Sequence, residues 1–238
     1  MTTNIIPERL AQLDTLTLHH GAHNTFDDGH CALEVVAWLA GEPHTDRPKC
    51  TCPAIAAFSR SWNDGLPDED RDRLMRDLIP RMVGTRGSAD IQDRRAIRCA
   101  DWAVRTYTPP WLRLAGLGQH ADILAGLDPL TTIEALQAAT SGPIAEAGKA
   151  AAAAGDAAGA AAWGAAGDAA WAAAWAAARA AAWDAARDAA RAAAGDAARD
   201  AARDTLAPTV THLQQEARLL VIELCDMTEG TRKQNGTR

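Results

Sequence analysis

Phenylalanine and tyrosine are almost missing from this chain of 238 residues, which has two Phe and one Tyr against eight Trp. Segments that alternate β-branched or aromatic residues with polar ones are correspondingly few, which removes the pattern of sheets and predicts an all-α fold. A basic stripe is also lacking. The 31 acidic and 24 basic residues interleave to a net charge of −7, and the one basic cluster is Arg232, Lys233 and Arg238 at the C-terminal end. A general nucleic-acid binder needs the stripe, so that class is excluded. Met1–Leu10 carries Glu8 and Arg9 and no long apolar run, unlike a signal peptide. The longest Ala-rich stretch is interrupted by Asp156, Asp168 and Arg179, so no membrane span is expected. Five cysteines, an odd number, fit a reducing cytoplasm better than a disulfide framework. Neither a phosphate loop nor a nucleophile elbow is present.

What fills the chain instead is alanine. Residues 150–203 hold 34 Ala in 54 positions, and from Trp163 to Arg203 every fourth residue is Trp, Gly or Arg. Ala has the highest helix propensity, so the tract reads as helix. Its period does not match the helix, however. A four-residue step drifts by about 40° around a helix of about 3.6 residues per turn. One flat partner cannot meet Trp163, Trp171, Trp175 and Trp183 together. Either neighbouring elements wrap the helix, the helix breaks, or a partner coils about it with a right-handed twist. Gly155, Gly159, Gly164 and Gly167 favour a break near 155–167. From Asp168 to Asp204 the tract fits one rod of about 55 Å. The i,i+3 pairs Asp184–Arg187, Asp188–Arg191, Asp196–Arg199 and Asp200–Arg203 are nearly cancelled by like charges at i,i+4, so they mainly serve solubility. The Trp-bearing half is expected to dock on the N-terminal helices or on another chain.

Upstream, punctuation marks a series of helices. Pro7 opens one over 7–16. Asp28 caps another from Gly29 to Ala40, with Gly41 just past its end. Pro53 starts a third, which stops at 63–65. Pro67 starts a fourth with acidic residues in its first turn, and Pro80 kinks or stops it. Ser88 caps a helix to Tyr107, Pro109 and Pro110 open a short one, and two more fit 119–126 and 129–139. Gly142 and Pro143 mark the composition shift. The expected organisation is a helical domain over 1–142, an Ala-rich arm and terminal helix over 143–228, and a flexible tail over 229–238. In the terminal helix, Leu206, Val210, Leu213, Ala217, Leu220, Leu224 and Met227 alternate four- and three-residue steps, a heptad seam. The seam serves either a core docked on its own chain or a coiled-coil dimer. Val221, Ile222 and Cys225 widen it and favour the core.

Eight of the twelve Cys and His residues fall between positions 19 and 52: His19, His20, His23, His30, Cys31, His44, Cys50 and Cys52. Zinc takes such nitrogen and sulfur ligands, usually four in a tetrahedron, and His23, Cys31, His44, Cys50 and Cys52 are the candidate set. Cys-x-Cys is a less typical zinc spacing than Cys-x-x-Cys. The plainer reading is small buried cysteines, with histidines that hydrogen-bond a structured loop. A third reading makes Cys31 a nucleophile, its thiol acidified by the start of a helix, with His23 or His44 as base and Glu34 one turn along.

The run from Gly21-Ala22-His23 through Asp28-Gly29-His30-Cys31 to Pro43-His44 carries a resemblance, together with Cys50-Thr51-Cys52-Pro53 and Ser61-Trp62-Asn63-Asp64. The segments 78–87 and 101–117 and the Ala/Trp/Arg/Asp tract add to it. The chain resembles a family of actinobacterial and actinobacteriophage proteins with an Ala-rich C-terminal region. That resemblance covers most of the chain and implies an intracellular setting, but carries over no functional residue. The sequence therefore points to a non-catalytic helical interaction or structural protein, phage- or mobile-element-related. It would act as a homo-oligomer or with a protein partner through its C-terminal helices, with neither nucleic acid nor membrane. A zinc-binding domain on the loop 19–52, a hydrolase in its enzymatic form, is the alternative.

Overall fold

The computed structural model describes residues 5–114, 116–153 and 196–229. Among the described residues the architecture is all-α, with no strand. The helices are α1 (Pro7–Leu10), α2 (Ala32–Leu39), α3 (Pro53–Gly65), α4 (Asp68–Met75), α5 (Ile79–Met82), α6 (Ala89–Trp102), α7 (Thr108–Leu114), α8 (Gly118–Ala125), α9 (Ile133–Ala139), α10 (Ala145–Ala153) and α11 (Asp196–Asp226). None of them is long and apolar enough to cross a membrane.

At the centre stands α2. Its sequence, ALEVVAWL, is apolar almost all round, the pattern of a helix enclosed on every side. Leu33, Val35, Val36 and Leu39 have no exposed surface. Helices α3 and α5 pack against α2, and α6 packs against α3. Across the same core lies α11, which touches α3, α4, α5 and α6. Its heptad seam is spent here: Leu213, Ala217, Leu220 and Leu224 are buried on their own chain, and Val221 widens the buried face. Leu206 and Val210, further up the seam, lean on Trp111 and Tyr107. Ion pairs flank the seam, including a two-pronged contact from Arg98 to Glu223 at 2.8 Å for both prongs.

Several boundaries differ from the sequence reading, each for a local reason. The helix expected over 7–16 ends at Leu10, and a separate tight turn covers Leu13–Thr15. Asp28 does not cap α2. It belongs to a short turn, Phe26–Asp28, whose cap is Thr25 in a reciprocal pair with Asp28, and α2 starts three residues later than expected with Cys31 as its cap. Gly41 follows α2 at φ 73° and closes it, as expected. Pro80 falls harmlessly in the first turn of α5 because the chain has already turned over Arg76–Leu78. The prolines at 109 and 110 interrupt less than expected. Helix α6 widens into a π turn over Ala103–Tyr107 and runs on into α7. There the Thr108 hydroxyl donates to the Ala103 carbonyl at 2.8 Å, serving a carbonyl in this loosened stretch.

At Gly142 the backbone leaves helical geometry (φ −106°, ψ −108°), and the chain continues into α10. Ile144 and Ala147, beyond that kink, share one core with α2, α3 and α11. Both flanks of the Ala-rich tract are thus held on one body. The four Trp, the expected break near 155–167 and the pairs Asp184–Arg187 and Asp188–Arg191 lie outside the described residues. Side-chain pairing at Asp196–Arg199 and Asp200–Arg203 lies outside them as well. The last described residue, Glu229, is engaged. Its carboxylate accepts the Ser88 backbone N–H at 2.8 Å and the Ser88 hydroxyl at 2.6 Å, which fastens the segment after α11 to the start of α6.

Leu220 is 1% exposed and its neighbour Leu219 is 55% exposed. Leu220→Ala should therefore lower stability by about 2–5 kcal/mol. Leu219→Ala should stay within about 0.5 kcal/mol. Urea unfolding of the two variants checks that the seam is a core and not a free face.

Candidate functional site

The His/Cys-rich loop folds over the start of α2, and the residue it folds onto is Glu34. This carboxylate is 1% exposed, so every one of its lone pairs needs a donor. Oε1 accepts the His23 backbone N–H at 2.7 Å. Oε2 accepts the Cys31 backbone N–H at 2.7 Å, the spacing of a capping box in which the third residue of the helix reaches back to the cap. The His23 ring adds Nδ1 to Oε2 at 2.8 Å, and His44 Nε2 approaches Oε1 at 3.3 Å. His44 Nε2 also donates to the His23 carbonyl at 3.0 Å, tying the second loop to the first. Burial pushes the Glu34 carboxyl up, but the His23 and Cys31 amides and the His23 ring outweigh it and hold the group below its ordinary value.

The loop carrying these histidines is pinned from outside as well. Asn63, fully buried at the end of α3, accepts the Ala32 N–H at 3.2 Å through Oδ1 and donates to the His19 carbonyl at 2.9 Å through Nδ2. Arg71 is 2% exposed and donates Nε to the Asn63 carbonyl at 2.9 Å, Nη2 to that of Leu66 at 2.6 Å, and Nη1 to the Asp68 carboxylate at 2.6 Å and, at 3.4 Å, the Leu18 carbonyl. Asp72 accepts the Leu18 N–H at 2.8 Å, and Asp64 accepts that of Gly21 at 2.8 Å. The acidic run 68–72 is therefore more than a solvated helix start, since its last member anchors the loop.

Gly29 is the tightest point of this arrangement. Its φ of 132° lies where side chains are strained, and a Cβ there would stand 2.8 Å from Cδ2 and 2.9 Å from Nε2 of His23, and 3.3 Å from Nδ1 of His19. The rings of His19 and His23 lie edge to face at 5.8 Å, as do those of His19 and His30. Phe26 stacks on His30 at 4.3 Å and on Trp38 at 5.0 Å, roofing the cluster.

Of the five sequence candidates, three meet around Glu34: His23, Cys31 and His44. The other two face elsewhere. The Cys50 N–H goes to Glu42, in the loop after α2, at 2.7 Å, and the Cys52 N–H goes to the Thr85 hydroxyl, in the turn before α6, at 3.0 Å. Cys52 is fully buried in the core it shares with Cys99. Among the described residues, no three His, Cys, Asp or Glu side chains are already grouped as a metal-binding set.

The thiol-nucleophile reading is corrected. Cys31 caps α2 with no exposed surface, and burial raises its thiol to about 12, reinforced by the adjacent Glu34 carboxylate and only partly offset by the Glu34 and Leu33 amides. A thiol there stays protonated, whatever the helix start contributes. Burial likewise raises the Cys50 thiol. His30 is pushed down from its ordinary value by burial, with the Phe26 carbonyl opposing and His19 and His23 reinforcing, so it is neutral near pH 7. Sequence reasoning placed Glu34 only as an accessory. The missed signal was its spacing: an acid three residues after a helix start reads as a reciprocal cap. Asn63 and Arg71 left no comparable signal, because the bonds that tie them to the histidine loop go to backbone atoms 31 to 53 residues away.

Two substitutions test the site. Glu34→Gln leaves fewer acceptors for three buried donors and should cost about 3 kcal/mol at neutral pH. A carboxyl held low in the fold is less readily protonated there than in the unfolded chain. Its stabilisation is therefore full above the unfolded value of about 4.3 and is lost as pH falls through the folded value. Urea unfolding below about pH 5 should show a shallower acid limb for Glu34→Gln than for the native chain. Gly29→Ala should cost about 1–3 kcal/mol from its strained backbone, and should displace the His23 and His19 ring resonances in NMR spectra. Comparison with family models, with curated protein sequences and with solved structures finds no match to this chain.

Proposed function

We propose that the chain is a non-catalytic helical interaction protein. Its described residues act as a mount, and its Ala/Trp/Asp/Arg tract is the element that meets a partner. The observation that carries this reading is the placement of the tract's flanks. Ala147 of α10, on the near side, and Leu213, Ala217, Leu220 and Leu224 of α11, on the far side, are buried in the mount. A tract anchored at both ends is held to the body at little cost in chain entropy. Four Trp at four- and eight-residue spacings supply large apolar anchors of the kind enriched at interfaces. The candidate nucleophile Cys31 has no exposed surface, which fits the reading. Docking of the α11 seam on its own chain moves the expected partner surface from that helix to the tract. A phage- or mobile-element setting follows from the resemblance of the sequence and belongs to the same proposal.

Light scattering after size exclusion, paired with fluorescence quenching, tests it. The native chain should either self-associate with rising concentration or, as a monomer, keep Trp163, Trp171, Trp175 and Trp183 open to quencher. Replacing these four by Ala should abolish the association or that quenchable fraction while leaving the helical circular dichroism of the mount. A strict monomer whose four Trp are all shielded would overturn the proposal and assign the tract to the protein's own core.

A further inference from the structure

We propose a second, independent property: His19, His23 and His30 form a site for a borderline divalent metal ion such as zinc, with Glu34 orienting one ligand from behind. The proposal does not rest on the Ala-rich tract, and its ligands differ from those the sequence favoured. Hydrogen-bond partners set which nitrogen donates on two of the rings. His23 Nδ1 faces the ionised Glu34 carboxylate at 2.8 Å and so carries its proton there, which leaves the Nε2 lone pair free. His30 Nδ1 faces the Phe26 carbonyl at 3.3 Å, an acceptor only, so its lone pair is also on Nε2. That Nε2 is buried and, among the described residues, has no hydrogen-bond partner. A buried acceptor left empty is costly, and a metal ion would satisfy it.

His19 completes the set. Its ring is edge to face with both others at 5.8 Å, and its Nδ1 is 3.4 Å from the His30 amide, a long contact that is given up at little cost. Among the described residues no group of three His, Cys, Asp or Glu stands placed to hold a metal ion, so the site requires the His19 ring to turn. His19 is exposed, so its ring is free to turn toward the other two. Gly29 keeps the space between His19 and His23 clear of a side chain. The Glu34–His23 pair matches the carboxylate–histidine arrangement that fixes the tautomer of metal-bound imidazoles and raises their basicity. Imidazoles suit zinc and its neighbours. His44, whose Nδ1 is likewise buried without a partner among the described residues, is left outside the set because its Nε2 serves the His23 carbonyl and its ring contact is with Phe26, not with His19, His23 or His30.

Titration of the untagged full chain with zinc(II) and with cobalt(II) tests the proposal. Calorimetry should show one equivalent of zinc bound with a dissociation constant of about 1 µM or tighter, and the melting temperature should rise with zinc. His19→Ala and His30→Ala should each weaken binding at least about 10-fold while retaining the native circular dichroism. Because His19 is exposed, its variant tests the site without endangering the fold. Cys50→Ser and Cys52→Ser should leave the affinity unchanged, and the cobalt complex should lack the thiolate charge-transfer band. Absence of binding, binding that survives His19→Ala and His30→Ala, or a thiolate band would each overturn the assignment. None of these outcomes bears on the tract's role as an interaction element.

Discussion

A carboxylate that is nearly enclosed by protein must collect donors, and in this molecule the need of Glu34 organises everything around it. Its partners come from three separated stretches: the amide and ring of His23, the amide of Cys31 and the ring of His44. Meeting them forces the loop 19–31 to fold back across the start of α2 and brings the loop after α2 beside it. Cys31 then becomes the cap of α2, which buries its thiol and keeps it protonated. The same bond sets the tautomer of His23, and with it the direction in which the ring's lone pair points. Structure and chemistry of the region thus follow from one buried charge.

The remainder of the fold acts as a frame for that charge. Asn63 and Arg71 stand where α3 gives way to α4, and both use their polar groups on backbone atoms of the histidine loop or of the turn beneath it. A guanidinium buried against carbonyls is stable only while all of them stay in place, so loop and turn order one another. On the far side α11 closes the core with Leu213, Ala217, Leu220 and Leu224. Arg95 reaches the Met227 carbonyl at 2.8 Å, and Glu229 clasps Ser88. The chain on either side of the Ala-rich tract is consequently fixed at two points of one core.

Much of the helix order was legible because its punctuation is local. Pro53 and Ser88 mark their helix starts, and Gly41 closes α2 with a positive φ. The 4-3 spacing of Leu213 through Leu224 was legible as a core seam because Val221 and Ile222 broaden it beyond a dimer stripe. Competition between nearby caps was less legible. Asp28 is a good cap by type, but Thr25 claims it for an earlier turn, and the helix waits for Cys31 and its partner Glu34. The continuity of α6 into α7 was hidden by Pro109 and Pro110, whose backbone cost is met by a π turn that no composition signals. In the site, the structure brings His23, Cys31 and His44 together around Glu34. Cys50 and Cys52 make their backbone bonds to Glu42 and Thr85, partners that their place in the shared loop does not announce.

The central claim is that Glu34 is ionised and fully donated to, not a neutral acid tolerated in an apolar pocket. Burial and hydrogen bonding pull in opposite directions here, so the sign of the shift decides between the two. Titrating the Glu34 side-chain carboxyl by carbon-13 NMR reads that sign directly. A midpoint below the ordinary glutamate value of about 4.3 is the result this account predicts. A midpoint above it would mean that desolvation prevails, and that Glu34 does not hold the histidine loop as a carboxylate.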